Sequence, residues 1–197
     1  QYNVNDQDID LLIDERVLND SRYNNEIHNA LTQVPSISIV TDNANLFDPQ
    51  KGIYVNAMQD GYEWERPASI ELINPDGSKG FHIDAGLRIR GGYSRHGWFR
   101  KHAFRLFFRS EYGEGKLDYP LFGDEGVDSF DKIDLRCSQN YSWSKGGEEA
   151  PFATYNRDVF SRDIQAQMNQ PYTRSRYYHL YLNGLYWGLY QTQERSE

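Results

Sequence analysis

The chain of 197 residues is long enough for one buried core and gives no reason to expect two full domains. With 29 acidic against 21 basic residues its formal net charge is -8, which argues against nucleic acid as the main partner, because a duplex needs a dominant basic face. Aromatic residues make up 15%, so the core should rest on aromatic bulk, while a mean hydropathy of -0.81 and the lack of any apolar run of roughly 18 residues exclude a spanning helix.

Residues 1–33 are polar with helical spacing: Ile9, Leu12, Ile13 and Val17 share one stripe, Ile27 and Leu31 a second. An N-terminal helical segment is expected there, stopped by Pro35. Asn19-Asp20-Ser21 is a formal glycan acceptor, as is Asn140-Tyr141-Ser142 further on. Ser36 to Thr41 reads as a β-branched strand running into a loop at Asp42-Asn43-Ala44-Asn45. Asp42, Asn45 and Asp48 miss the spacing of a calcium loop. Lys51 to Trp64 should hold a short apolar strand and a glycine turn. The turn Asn74-Pro75-Asp76-Gly77 then joins a strand over Ala68 to Ile73 to one that runs on through Gly86 to Arg90.

The stretch from Gly86 to Arg109 organises the rest. Two alternating runs flank a glycine-rich loop, with Leu87, Ile89, Phe104, Leu106 and Phe108 on one side and Arg88, Arg90, Lys101, Arg105 and Arg109 on the other. If the apolar sides share a core, five cations line the opposite face, with Gly91, Gly92, Ser94 and Arg95 at its rim. Such a face suits an anion; a solvated surface laced with ion pairs is the alternative. The loop matches neither of the named glycine-rich phosphate motifs.

Beyond Arg109 comes a surface segment with aromatic anchors at Leu117 to Phe122, then a strand over Lys132 to Cys137 and a polar loop from Ser138 to Ala150. Cys137 is the single cysteine, which excludes an internal disulfide and a multi-cysteine zinc site; the five scattered histidines show no ligand spacing. Asn156 to Met168 is the clearest helix, with Asn156 as its cap and Val159, Phe160, Ile164, Gln167 and Met168 as its inner side. Two further runs, Arg176 to Leu182 and Leu185 to Gln193, flank the hairpin turn Asn183-Gly184. The expected fold is α+β: a mostly antiparallel β meander with one main helix.

Nine segments in order resemble the CotH kinase-like family. They are VPSISIVTD (34–42), GIYVN (52–56), GYEWERPASIEL (61–72), DAGLRIRGGYSR (84–95), KHAFRLFFRSEYG (101–113), YPLFGD (119–124), FDKIDLR (130–136), RDVFSRDIQAQM (157–168) and HLYLNGLYWGLYQTQER (179–195). The resemblance implies an atypical protein-kinase-like fold, with residues 34–197 as the N-terminal part of the domain and the meander as the lobe covering ATP and magnesium. Arg90, Ser94, Arg95, Lys101 and Arg105 would meet the phosphates, Asp158 or Asp163 would orient a cation, and Glu194 with Arg195 would lie near the adenine. The family's catalytic and metal-binding aspartates fall downstream of Glu197, so these residues alone are not expected to transfer phosphate. An extracellular or cell-surface location follows from the same likeness. The implied partners are a protein substrate phosphorylated on Ser or Thr and the remainder of the domain. A non-catalytic surface, matrix or filament module is the competing reading, favoured by the Tyr and Trp excess; a carbohydrate-binding sandwich lacks any supporting spacing.

Overall fold

The computed structural model describes residues 2–139, 141–142 and 152–194. In chain order the elements begin with a hairpin of β1 (Tyr2–Val4) and β2 (Gln7–Ile9), then α1 (Glu15–Leu18), α2 (Ile27–Gln33), β3 (Ser36–Val40) and α3 (Asn43–Phe47). They continue with β4 (Arg66–Ile73), β5 (Lys79–Arg90), β6 (Ala103–Phe107), β7 (Leu117–Asp118), β8 (Ser129–Phe130) and β9 (Lys132–Arg136). Last come α4 (Arg157–Gln167), β10 (Ser175–Leu182) and β11 (Leu185–Gln193).

Seven of these strands close into a barrel in the order β10-β11-β9-β6-β5-β4-β3. Every pairing is antiparallel except the closing one, where β10 runs parallel to β3 from His179 opposite Ser36 to Leu182 opposite Ile39. Alternate residues of each strand turn inward, as the pleat requires. Ile39, Ile70, Leu87, Phe104, Leu135 and Leu180 are wholly buried in one continuous core.

This corrects the expected fold class. The strands do not form the open meander of a kinase-like lobe with one main helix; they form a closed, mostly β barrel with four short helices among the described residues. The hairpin signals were sound: Gly77 takes φ 75° between β4 and β5, and Asn183 and Gly184 take φ 49° and 79° between β10 and β11. What they could not show is the pairing of residues 36–39 with 179–182. Parallel neighbours far apart in sequence leave no turn to read.

Smaller corrections follow the same logic. Residues 2–9 hold a hairpin where a helical stripe was expected, and Ile9 is buried from β2. Asp42 does not start a loop but caps α3, its Oδ1 accepting from Ala44 N at 2.9 Å. Residues 52–56 are turns, not a strand, yet they bury Ile53, Tyr54 and Val55. On α4 the inner side is inverted. Phe160, Ile164 and Met168 are 61%, 37% and 63% exposed, and Asp158 and Arg162 face the barrel. Asn156 stands at the cap position without a side-chain hydrogen bond. No helix among the described residues is long and apolar enough to cross a membrane.

Because β3 closes the barrel, cutting its core side chain should be costly and cutting its outward neighbour cheap. Ile39→Ala, at a position with no exposure, is expected to lower the unfolding free energy by about 3 kcal/mol, whereas Val40→Ala, 53% exposed, should change it by under about 1 kcal/mol, both read from urea denaturation.

Candidate functional site

On the outer face of the barrel, strand register sets Arg88 opposite Arg105, Arg105 opposite Asp134, and Asp134 opposite Gln193, a polar row across β5, β6, β9 and β11. Arg105 donates to Asp134 through Nε at 2.5 Å and Nη2 at 2.9 Å, and Arg90 Nε reaches the same carboxylate at 2.9 Å. A second carboxylate does likewise: Glu65 accepts from Arg88 Nε at 2.9 Å and from Arg109 Nε at 3.0 Å. Phe107 lies between Arg88 and Arg109, whose guanidinium carbons stand 4.1 and 4.9 Å from the ring centroid. Four of the five expected cations share this face, and each of the four is ion-paired, as the alternative of a surface laced with ion pairs has it. The acids lie beneath: the Glu65 side chain has no exposure and that of Asp134 only 5%, against 21–39% for the arginines.

Gly86 makes room for Glu65. A Cβ at that position would come within 2.2 Å of Glu65 Oε1. The Asp134 hydrogen bonds raise the basicity of Arg105, while burial lowers that of Arg90.

Above the row lies an open cleft of about 470 Å³ lined by Asp60, Arg88, Ile89, Arg90, Gly91, Gly92, Arg95, Arg105 and Phe107. Gly91 takes φ 130°, and a Cβ there would meet Ser94 Oγ at 2.1 Å, so the loop turns at a position that only glycine fills. Arg95 reaches Asp60 at 3.4 Å, and its Nε is buried with no hydrogen-bond partner among the described residues. From behind, His102 Nδ1 donates to Ser94 O at 3.0 Å, and Gln7 Nε2 donates to Phe99 O at 2.8 Å, which ties the loop to the barrel and to β2.

Of the residues singled out from sequence, Arg90, Arg95 and Arg105 come together in this cleft, and Ser94 shapes its rim. Lys101 does not join them. It precedes β6, where the alternation has not yet begun, and its Nζ donates to Asp10 O at 2.5 Å and sits 4.4 Å from the Trp187 ring centroid. Glu194 is paired with Arg174 at 2.8 Å and does not line the cleft; Arg195 lies outside the described residues, as does Asn140 of the second glycan triplet. Asp158 does orient a cation, but that cation is Arg136, at 2.6 Å. Sequence reasoning missed Glu65 and Asp134. For Asp134 the available signal was a lone acid between Ile133 and Leu135; Glu65, with Glu63 and Arg66 beside it, carries no such signal.

The cleft offers guanidinium donors to phosphate oxygens, which suits the polyphosphate of a nucleotide. Magnesium is different: among the described residues no three His, Cys, Asp or Glu side chains gather to hold a cation.

Burial pulls the Lys101 amine down to about 8, against an ordinary 10.5. Between those values the unfolded chain binds a proton that the folded chain does not, so this residue's contribution to stability is full above pH 10.5 and is lost as pH falls to 8. Compared with Lys101→Met, the wild type should gain on the order of 3 kcal/mol between pH 8 and 10.5, measured by denaturation at each pH; a constant difference would refute the assignment.

No curated protein matches this chain. The family described as CotH kinase protein matches residues 87–197, more than half of the sequence and the part that carries Arg88, Arg90, Arg95, Arg105 and Asp134. With that span matched, this chain belongs to the CotH kinase protein family.

Proposed function

We propose that the arginine cleft receives the phosphates of ATP and that the protein serves an ATP-dependent phosphotransferase of the CotH type, acting outside the cell on Ser or Thr of a protein partner. One observation carries the reading. Four arginines, Arg88, Arg90, Arg95 and Arg105, line the cleft against one exposed carboxylate, Asp60, while Glu65 and Asp134 are buried below, in a protein whose overall charge is -8. Asp60 and Glu111 are the other acids near these arginines, each within reach of one of them, at 3.4 and 3.7 Å. Arg88 and Arg90 meet their carboxylates through Nε, which leaves their Nη donors for a ligand. The family's kinase description supports nucleotide use.

Calorimetric titration with ATP tests this directly. Arg90→Gln, which leaves Asp134 paired with Arg105, is expected to weaken binding about tenfold or more, since a hydrogen bond to a charged group is worth roughly 1.5–3 kcal/mol. Lys116→Gln, at an exposed pair with Asp131, should leave it unchanged. Absence of ATP binding by the folded wild type, or equal binding by Arg90→Gln, would refute the nucleotide assignment.

A surface or matrix assembly role has its own supporting observation, the exposed stripe of Phe160, Ile164 and Met168 along α4. Light scattering decides it: growth of mass with concentration that Ile164→Lys abolishes supports assembly, and a monomer at all concentrations rejects it.

A further inference from the structure

Two buried acids stand under four arginines, and their arrangement is the same in both places. Each carboxylate is met by the Nε edge of one arginine from β5 and by a second from β6 or just beyond it: Asp134 by Arg90 and Arg105, Glu65 by Arg88 and Arg109. In Glu65 the side chain has no exposure at all, and the missing side chain of Gly86 supplies the space it occupies. Arginine carries many rotamers, and fixing one against solvent costs entropy that a fixed partner offsets in advance. A carboxylate that holds Nε turns the opposite, Nη edge of the fork away from itself, because the guanidinium is planar and rigid.

We infer that Glu65 and Asp134 are positioning residues for the anion cleft, Asp134 presenting Arg90 and Arg105 and Glu65 presenting Arg88, with Arg109 bracing Glu65 from outside the cleft, so that the remaining Nη donors of these three guanidinium groups converge on a ligand with several anionic oxygens, such as a di- or triphosphate. The inference rests on reading the cleft as a phosphate site. It differs from a purely electrostatic account in the sign of one result. Removing a negative charge from beneath an anion site strengthens binding if charge alone matters; it weakens binding if the acid's task is to hold the arginines.

Inorganic tripolyphosphate is the probe, titrated calorimetrically into the chain at fixed ionic strength, with inorganic phosphate as the single-group comparison. Asp134→Asn and Glu65→Gln are expected to weaken tripolyphosphate at least tenfold despite the added positive charge, and to reduce its advantage over phosphate. Gly86→Ala should do the same at the Glu65 pair with no change of charge, because the new Cβ displaces the carboxylate. Should these variants lose their fold, the wild type still decides. The Nε–Hε resonances of Arg88, Arg90, Arg105 and Arg109 are expected to hold their positions as tripolyphosphate is added, and large shifts in them would show the anion displacing the acids and overturn the inference. Equal or tighter binding by folded Asp134→Asn and Glu65→Gln would overturn it as well, while leaving the phosphate site standing. A folded wild type that binds no tripolyphosphate overturns the phosphate site and the inference together.

Discussion

His179 N donates to Pro35 O at 3.0 Å where β10 settles beside β3, and from that parallel contact the sheet becomes a tube. A closed sheet has no free edges, and the inward side chains of its seven strands form one buried core. Charge on the barrel strands is thereby forced outward. Arg88, Arg90, Arg105, Asp134 and Arg136 all project from β5, β6 and β9 at positions alternating with Leu87, Ile89, Phe104, Leu106, Ile133 and Leu135, which are buried. Closure therefore creates both the core and the polar belt around it.

That belt explains two departures from simple amphipathic logic. Arg136 and Gln191 on β9 and β11 present a polar floor, so α4 turns Asp158 and Arg162 toward it, the latter donating to Gln191 Oε1 at 2.7 Å. Phe160, Ile164 and Met168 are then left on the outside by helical geometry alone. Glu65 and Asp134 likewise accept burial only because each has two cationic partners. Removing the partners of a buried charge costs about 3–5 kcal/mol, so each acid and its arginines stand or fall together. An acid that is costly to bury and precisely met by the Nε edges of its neighbours gives the guanidinium groups a fixed origin from which to face the cleft.

The Gly91 loop shows the same economy in its backing. Its outward side borders the cleft, and its inward side is fastened by His102, itself fully buried, and by Gln7 from the N-terminal hairpin. Lys101 sits one residue before His102 and points toward Trp187, because the regular alternation of β6 starts at Ala103. A period-2 reading extended two residues too far places it on the wrong side.

Local chemistry determined much of this protein by itself. The Asn74 to Gly77 and Asn183-Gly184 turns, the alternation of Leu87 to Arg90 and Phe104 to Phe108, and the helix near Arg157 follow from φ preferences and side-chain period, which neighbouring residues decide among themselves. Four of the five cations on the outer face and the glycine rim were legible for the same reason, as was the family likeness. Only the tertiary structure decided the closure of the barrel, the outward turn of the apolar stripe on α4, and the burial of Glu65 and Asp134 beneath their arginines. Each of those depends on which distant strand lies alongside, as residues 36–39 lie against 179–182 and Glu65 lies against Gly86, and no local pattern encodes a neighbour that the chain meets only after folding back on itself.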